Sequence, residues 1–321
     1  MNSVPVAFCR DVYRLLGLSR PGYFELAVSL SGRWQAVAFQ FVENVEFMSL
    51  EFGRNEGGWF YLVHKSPNDI IAPSIEQLMT LSKRYVAFSR VSAVETPLGQ
   101  HRVVHCSRED LILRLAPLVR ARLRPGSSFD IEDSCPQDVA LTAFEMFGTS
   151  STFCHMAIPY NGAASEEFLC AQMDKNPRIK RLYLYNAWPH SEALEERFKK
   201  LLVTNTVEMF ELPQLPKGDC VGATFTSAMF MAFFDVWVSA KDDRKMCLRG
   251  TASGATGSPL EEVLAIPLPQ KMKRKVKKAP IGYTEVENSV LVTWKKPNGW
   301  RLCYLIDQDG SNFVRIYTKK R

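Results

Sequence analysis

Between Phe129 and Leu212 the apolar positions switch between two periods. Short apolar segments recur every 26–27 residues: Phe129-Asp130-Ile131, Met156-Ala157-Ile158, Leu182-Tyr183-Leu184 and Met209-Phe210-Glu211-Leu212. After each of the first three, apolar side chains return at three- and four-residue intervals, as in Val139, Leu141, Phe144 and Phe147, or Leu194, Phe198, Leu201 and Leu202. A period near two followed by one near 3.6 predicts a strand and then a helix. One strand with one helix cannot bury its own apolar face, so such units must stack. The spacing therefore predicts strand–helix repeats over 126–250, with a sheet surface suited to a macromolecular partner. An ordinary α/β domain with units of similar length fits the same pattern.

The flanking segments read differently. From Pro5, which loses no helical hydrogen bond in a first turn, Phe8, Val12, Leu15 and Leu16 form one stripe. Tyr23 to Leu30 and Trp34 to Phe41 supply two more helical patterns, so 1–42 reads as three short helices. Residues 43–125 read as mixed α/β: a hairpin from Glu46–Phe52 and Trp59–His64 around Gly53–Gly58, a strand near Tyr85–Val94, and a helix from Ser107 to about Arg120. Phe225–Trp237 is apolar on nearly every side and reads as a buried helix or strand, with a last strand near Arg244–Arg249. Residues 251–279, rich in Gly, Ser and Pro and then basic, read as a linker. In 280–321, Asn298-Gly299 and Asp309-Gly310 divide three strands of an antiparallel meander. The fold class is α+β.

The chain has 46% hydrophobic residues, enough for a real core. Forty basic residues against thirty-four acidic leave a charge of +6, and one run (Lys271, Lys273, Arg274, Lys275, Lys277, Lys278) holds six positive charges. Outside it the chain is neutral overall, which argues against a general nucleic-acid-binding fold. The run itself reads as a solvated loop, an import signal or a contact for acidic partners. Eight cysteines without a CxxC pair read as free thiols, and there is no Asn-x-Ser/Thr acceptor. No leader is recognised at the first residues and no window spans a bilayer, so a cytoplasmic or nuclear protein without membrane contact is expected.

Val4-Pro5, the Phe8/Val12/Leu15/Leu16 stripe, Phe24/Leu26/Leu30, and Arg33-Trp34 followed by Ala38 resemble an F-box. Val4 and Val6 depart from the leucine and the acidic residue usual in that motif. The repeats downstream look like the leucine-rich repeats of F-box proteins, and the order of parts is similar to the F-box-associated proteins of nematodes. The resemblance implies a substrate receptor of a cullin-RING ubiquitin ligase. It also implies that Pro5, Phe8, Val12, Leu16 and Trp34 contact a Skp-type adaptor while the repeats hold a protein target. The alternatives are a scaffold of the same architecture, or a nuclear, nucleic-acid-associated protein using the basic run.

Residues for chemistry are sparse. Gly250–Ser258 lacks the lysine of a phosphate loop, and no Gly-x-Ser-x-Gly elbow occurs. His101, His105 and Cys106 are the nearest approach to a metal site, on a segment that reads as a strand. Cys154 and His155 are neighbours on a strand and point apart, so they form no nucleophile–base pair. No catalytic residue, metal or cofactor is expected. Tyr160, Tyr183, Tyr185 and Trp188, on or just after repeat strands, are candidate partner contacts.

Overall fold

The computed structural model describes residues 4–16, 18, 20–66, 69–71, 73–97, 102–186, 188–204, 207–213, 222–240, 245–254, 258–279, 289–307 and 312–320. The chain forms two compact units, Met1–Met156 with Asn161–Gln172, and Ala157–Tyr160 with Met173–Arg321. The division falls inside the stretch read as repeats, and not at its start near residue 126.

The first unit opens with the three expected helices, α1 (Val6–Leu16), α2 (Arg20–Ser29) and α3 (Gly32–Asn44). A mixed sheet follows: β1 (Glu46–Asn55), β2 (Gly58–Ser66), β3 (Asp69–Ile71), then α4 (Ile75–Thr80), β4 (Val86–Ala93) and β5 (Val104–Cys106). β1 and β2 are the expected hairpin, but β1 continues through Gly53. A side chain there would bring Cβ within 2.2 Å of the Val94 carbonyl, so this glycine permits close strand packing and makes no turn. The turn falls at Glu56-Gly57, and Gly58 takes a positive φ of 102°. The helix expected from Ser107 divides into α5 (Arg108–Asp110), a π-helical turn at Leu111–Leu115, and α6 (Ala116–Arg120). Ser107 does cap it, accepting from the Asp110 N–H at 3.0 Å. β4 pairs in parallel with both β1 and β6 (Leu123–Ile131), so parallel pairing begins well before the repeats. α7 (Gln137–Phe147) buries Val139, Phe144 and Phe147, with the ring of Phe129 of β6 tilted against Phe147 at 6.0 Å between centres.

β7 (Phe153–Pro159) and α8 (Ala163–Lys175) each contribute residues to both units. In the second unit β8 (Arg181–Tyr185), α9 (Glu192–Val203) and β9 (Met209–Glu211) follow the expected alternation, β8 and β9 pairing in parallel with Leu182 opposite Phe210. After β10 (Phe225–Thr226), the apolar segment is a helix, α10 (Ser227–Ser239), capped by the Thr226 side chain accepting from the Met229 N–H at 3.1 Å.

Residues 251–279 are not a linker. β11 runs Cys247–Ser253, α11 covers Pro259–Ala265, and the basic run forms β12 (Lys273–Lys278). α11 has full start chemistry, with Ser258 as cap, Pro259 in the first turn and Glu261 and Glu262 near the positive end of the dipole. β12 is held by its ladder to β13 (Ser289–Lys295), which outweighs the poor strand preference of lysine. β13, β14 (Arg301–Asp307) and β15 (Phe313–Lys319) form the expected meander, with Gly299 at φ 91° in the β13–β14 turn. Asp309 and Gly310 lie outside the described residues. β15 returns antiparallel to β11, and β11 pairs in parallel with β9, so this unit also has a mixed sheet. The chain is thus mixed α/β.

Candidate functional site

The N-terminal helices close around Tyr13, Tyr23 and Phe41, all at most 2% exposed. The Tyr13 hydroxyl donates to the Trp34 carbonyl at 3.0 Å and the Tyr23 hydroxyl to the Tyr13 carbonyl at 2.9 Å. The inward face of α1 therefore carries Cys9 and Tyr13, because a tyrosine can bury its ring and still satisfy its hydroxyl. The stripe read from sequence points elsewhere: Phe8 is 54%, Leu15 73% and Leu16 45% exposed, with Val12 half-buried. Phe24, Val28 and Phe39 on α2 and α3 are exposed too. Pro5 is exposed ahead of α1, and Trp34 is half-buried, its ring 6.3 Å from Phe8 and 5.7 Å from Tyr13. A bundle that leaves six large apolar side chains in water has more apolar surface than its own core uses.

The four aromatic candidates separate. Trp188 is fully buried, its indole N–H donating to the Ile158 carbonyl at 3.3 Å and its ring 5.4 Å from Tyr160. It is a core residue, which corrects its assignment to a partner surface; sequence alternation alone did not reveal that this loop turns its indole inward. Tyr160 is half-buried against it. Tyr183 and Tyr185 share one face of β8 with Arg181, opposite the buried Leu182 and Leu184.

The two faces continue across β11 to β15, with Leu291, Cys303 and Leu305 buried on the second face as well. One face, with Val292, Trp294, Tyr304 and Ile316, is buried, and Phe230 and Phe234 of α10 lie 5.2 Å from Tyr304 and 5.6 Å from Trp294. On the other face the register sets Lys273 opposite Lys295, Lys295 opposite Arg301, and Arg301 opposite Lys319. Four cations thus stand in one row across four strands. Lys275 and Lys277 extend the row along β12, while Arg315 and Lys319 lie 5.6 and 5.4 Å from the centre of the Tyr317 ring. Six cations and two uncharged residues, Leu291 and Thr293, line a groove of about 490 Å³ over this face. Arg274 turns to the opposite side and donates to the Ile266 carbonyl at 3.0 Å, Lys278 is exposed, and Lys271 lies outside the strand with φ 67°. The basic run is therefore half of a surface whose other half, Lys295, Arg301, Arg315 and Lys319, comes from the meander. Only strand register could reveal that.

Buried polar chemistry is limited. His64 Nε2 lies 3.1 Å from Glu51 Oε1, both residues 6% exposed, on the paired strands β1 and β2. His105 belongs to β5, and His101 lies outside the described residues. His155 of β7 sits 3.4 Å from the Ser128 hydroxyl, while Cys154 is buried. Among the described residues no three His, Cys, Asp or Glu side chains are grouped to hold a metal ion, and no helix is long and apolar enough to cross a membrane. Compared with family models, curated proteins and solved structures, the chain matches none.

Proposed function

We propose that this chain is a non-catalytic interaction protein that serves as a substrate receptor of a cullin-RING ubiquitin ligase. The observation carrying the reading is the apolar surface of the N-terminal bundle, where Phe8, Leu15, Leu16, Phe24, Val28 and Phe39 are all more than a third exposed. Unpartnered apolar side chains concentrated on one small bundle mark an interface, and the resemblance to an F-box names a Skp-type adaptor as its occupant. The target side is the sheet face bearing Tyr183, Tyr185 and the cationic row, which suits an acidic protein. No cofactor enters this function.

The reading is tested by mixing the purified full chain with a recombinant Skp-type adaptor and measuring complex formation by calorimetry. A one-to-one complex is expected, and Phe8→Ala with Leu16→Ala should weaken it more than tenfold. No complex at micromolar concentration refutes the adaptor.

A second reading, a nuclear protein that associates with nucleic acid, is favoured by one observation: the cations of β12 to β15 and Tyr317 lie on one face. Cations beside an aromatic ring suit a phosphate backbone with unstacked bases, although Tyr317 is itself half-buried. Binding of a labelled single-stranded oligonucleotide, steeply dependent on salt, separates this reading from the first.

A further inference from the structure

In the first unit a cleft of about 440 Å³ opens where the helical bundle meets the start of β6, and its charge is one-sided. Among the described residues, Arg14, Lys83, Arg84, Arg122 and Arg124 line it, with Asp11 as the only acid. Arg122 is 4% exposed. One of its terminal nitrogens donates to the Leu81 carbonyl at 3.0 Å, but its Nε–H is buried with no hydrogen-bond partner among the described residues. Arg124 also has a buried, unpartnered Nε–H, and its guanidinium lies 5.0 Å from the centre of the Phe47 ring. Arg14 spends a terminal nitrogen on the Ala121 carbonyl at 2.9 Å.

Burying a guanidinium without a carboxylate is costly, and each donor left unmade adds to the cost. Native interiors carry such a group where something completes it. The remaining donors here require an acceptor-rich anion, and the planar fork of arginine matches a phosphoryl group with two parallel hydrogen bonds. Four more cations than acids line the cleft, which favours a phosphomonoester, with nearly two charges at neutral pH, over a single carboxylate. The walls are apolar and aromatic, with Tyr23, Phe41, Phe47 and Val86, so the cleft also accommodates an uncharged body. Its volume lies in the range of small-ligand sites. Burial also holds both guanidiniums below the ordinary arginine value, as expected of cations short of counter-charge.

We propose that this cleft binds a small organic phosphomonoester, its phosphoryl group seated on Arg122 and Arg124 with Lys83 and Arg84 at the mouth, and its apolar body against Tyr23 and Phe47. The site shares Leu15 of α1 with the apolar surface proposed for the adaptor, but the phosphoryl-binding arginines lie outside that surface.

The test uses the full chain and phenyl phosphate as probe, with binding followed by calorimetry. Saturable binding at least tenfold tighter than that of inorganic phosphate is expected, and phenol should not bind. Arg122→Met, which also removes the hydrogen bond to the Leu81 carbonyl, should weaken phenyl phosphate at least tenfold. Lys83→Gln with Arg84→Gln, at exposed positions where folding is not at issue, should weaken it at least threefold. A peptide carrying one phosphotyrosine serves as the competing source of the same group. Binding of the peptide alone overturns the proposal, as does equal affinity for phenyl and inorganic phosphate, or unchanged affinity in the Lys83/Arg84 variant.

Discussion

Lys295 and Arg301 face each other directly across the β13–β14 ladder, two cations at the end of a tight hairpin with further cations on either side, Lys273 and Lys319. Like charges directly opposite on a sheet destabilise it, by about 0.2–1 kcal/mol for a pair. Lysines on an exposed edge strand also keep it from pairing with other chains, but that purpose needs no cations on β13, β14 and β15.

The row therefore predicts a gain on neutralisation. Replacing Lys273, Lys275 and Lys277 with Thr should raise the melting temperature at low ionic strength. Salt should raise that of the unmodified chain and narrow the difference, since screening acts over roughly 10 Å at 0.1 M. Scanning calorimetry across salt concentrations reads both. A lower melting temperature in the variant at every salt concentration contradicts the repulsion.

Oligonucleotide binding follows the same face. If the second reading holds, each lost phosphate contact should reduce the slope of log affinity against log salt by about 0.7. Fluorescence anisotropy of a labelled oligonucleotide measures it in the variant with Lys273, Lys275 and Lys277 replaced by Thr, with Lys175→Glu plus Lys200→Gln, on helices, as a control with the same change in net charge.

Trp188 is core and so predicts loss of stability. Trp188→Ala should cost about 3–5 kcal/mol in chemical denaturation. Tyr185→Ala, at a side chain 37% exposed, should stay within about 0.5 kcal/mol. Comparable small effects at both positions would return Trp188 to the surface.

Acid stability has an identifiable contributor in Glu76. Its hydrogen bond from Arg114 lowers its carboxyl from 4.5 to about 2. A carboxylate depressed on folding stabilises the folded chain above its unfolded value and loses that contribution as pH falls through the folded one. Glu76→Gln should flatten the stability profile between about pH 4.5 and 2 and leave its shape above pH 6 unchanged. The ion pair is exposed, so the difference should shrink in high salt. Denaturant midpoints measured across pH test this.

The sequence by itself determined the local elements wherever one period ran without interruption. Three N-terminal helices, the β1–β2 hairpin, the βα alternation from Phe129 to Leu212 and the Asn298-Gly299 hairpin all lie where periodicity and turn chemistry set them, because each depends on neighbours a few residues away. Ser107 and Thr226 likewise sit at helix starts for local hydrogen-bonding reasons. Tertiary structure alone decided what cannot be read from near neighbours. β12 forms from a lysine-rich segment because β13 supplies its hydrogen bonds, a contribution no propensity contains. Which side of α1 turns inward was decided by Tyr13 reaching the Trp34 carbonyl twenty-one residues on. The cationic groove joins residues from Lys273 to Lys319 through register, and the arginine cleft joins Arg14 to Arg124 through packing. Both candidate binding sites depend on charge summed over space, whereas net charge summed along the chain is small.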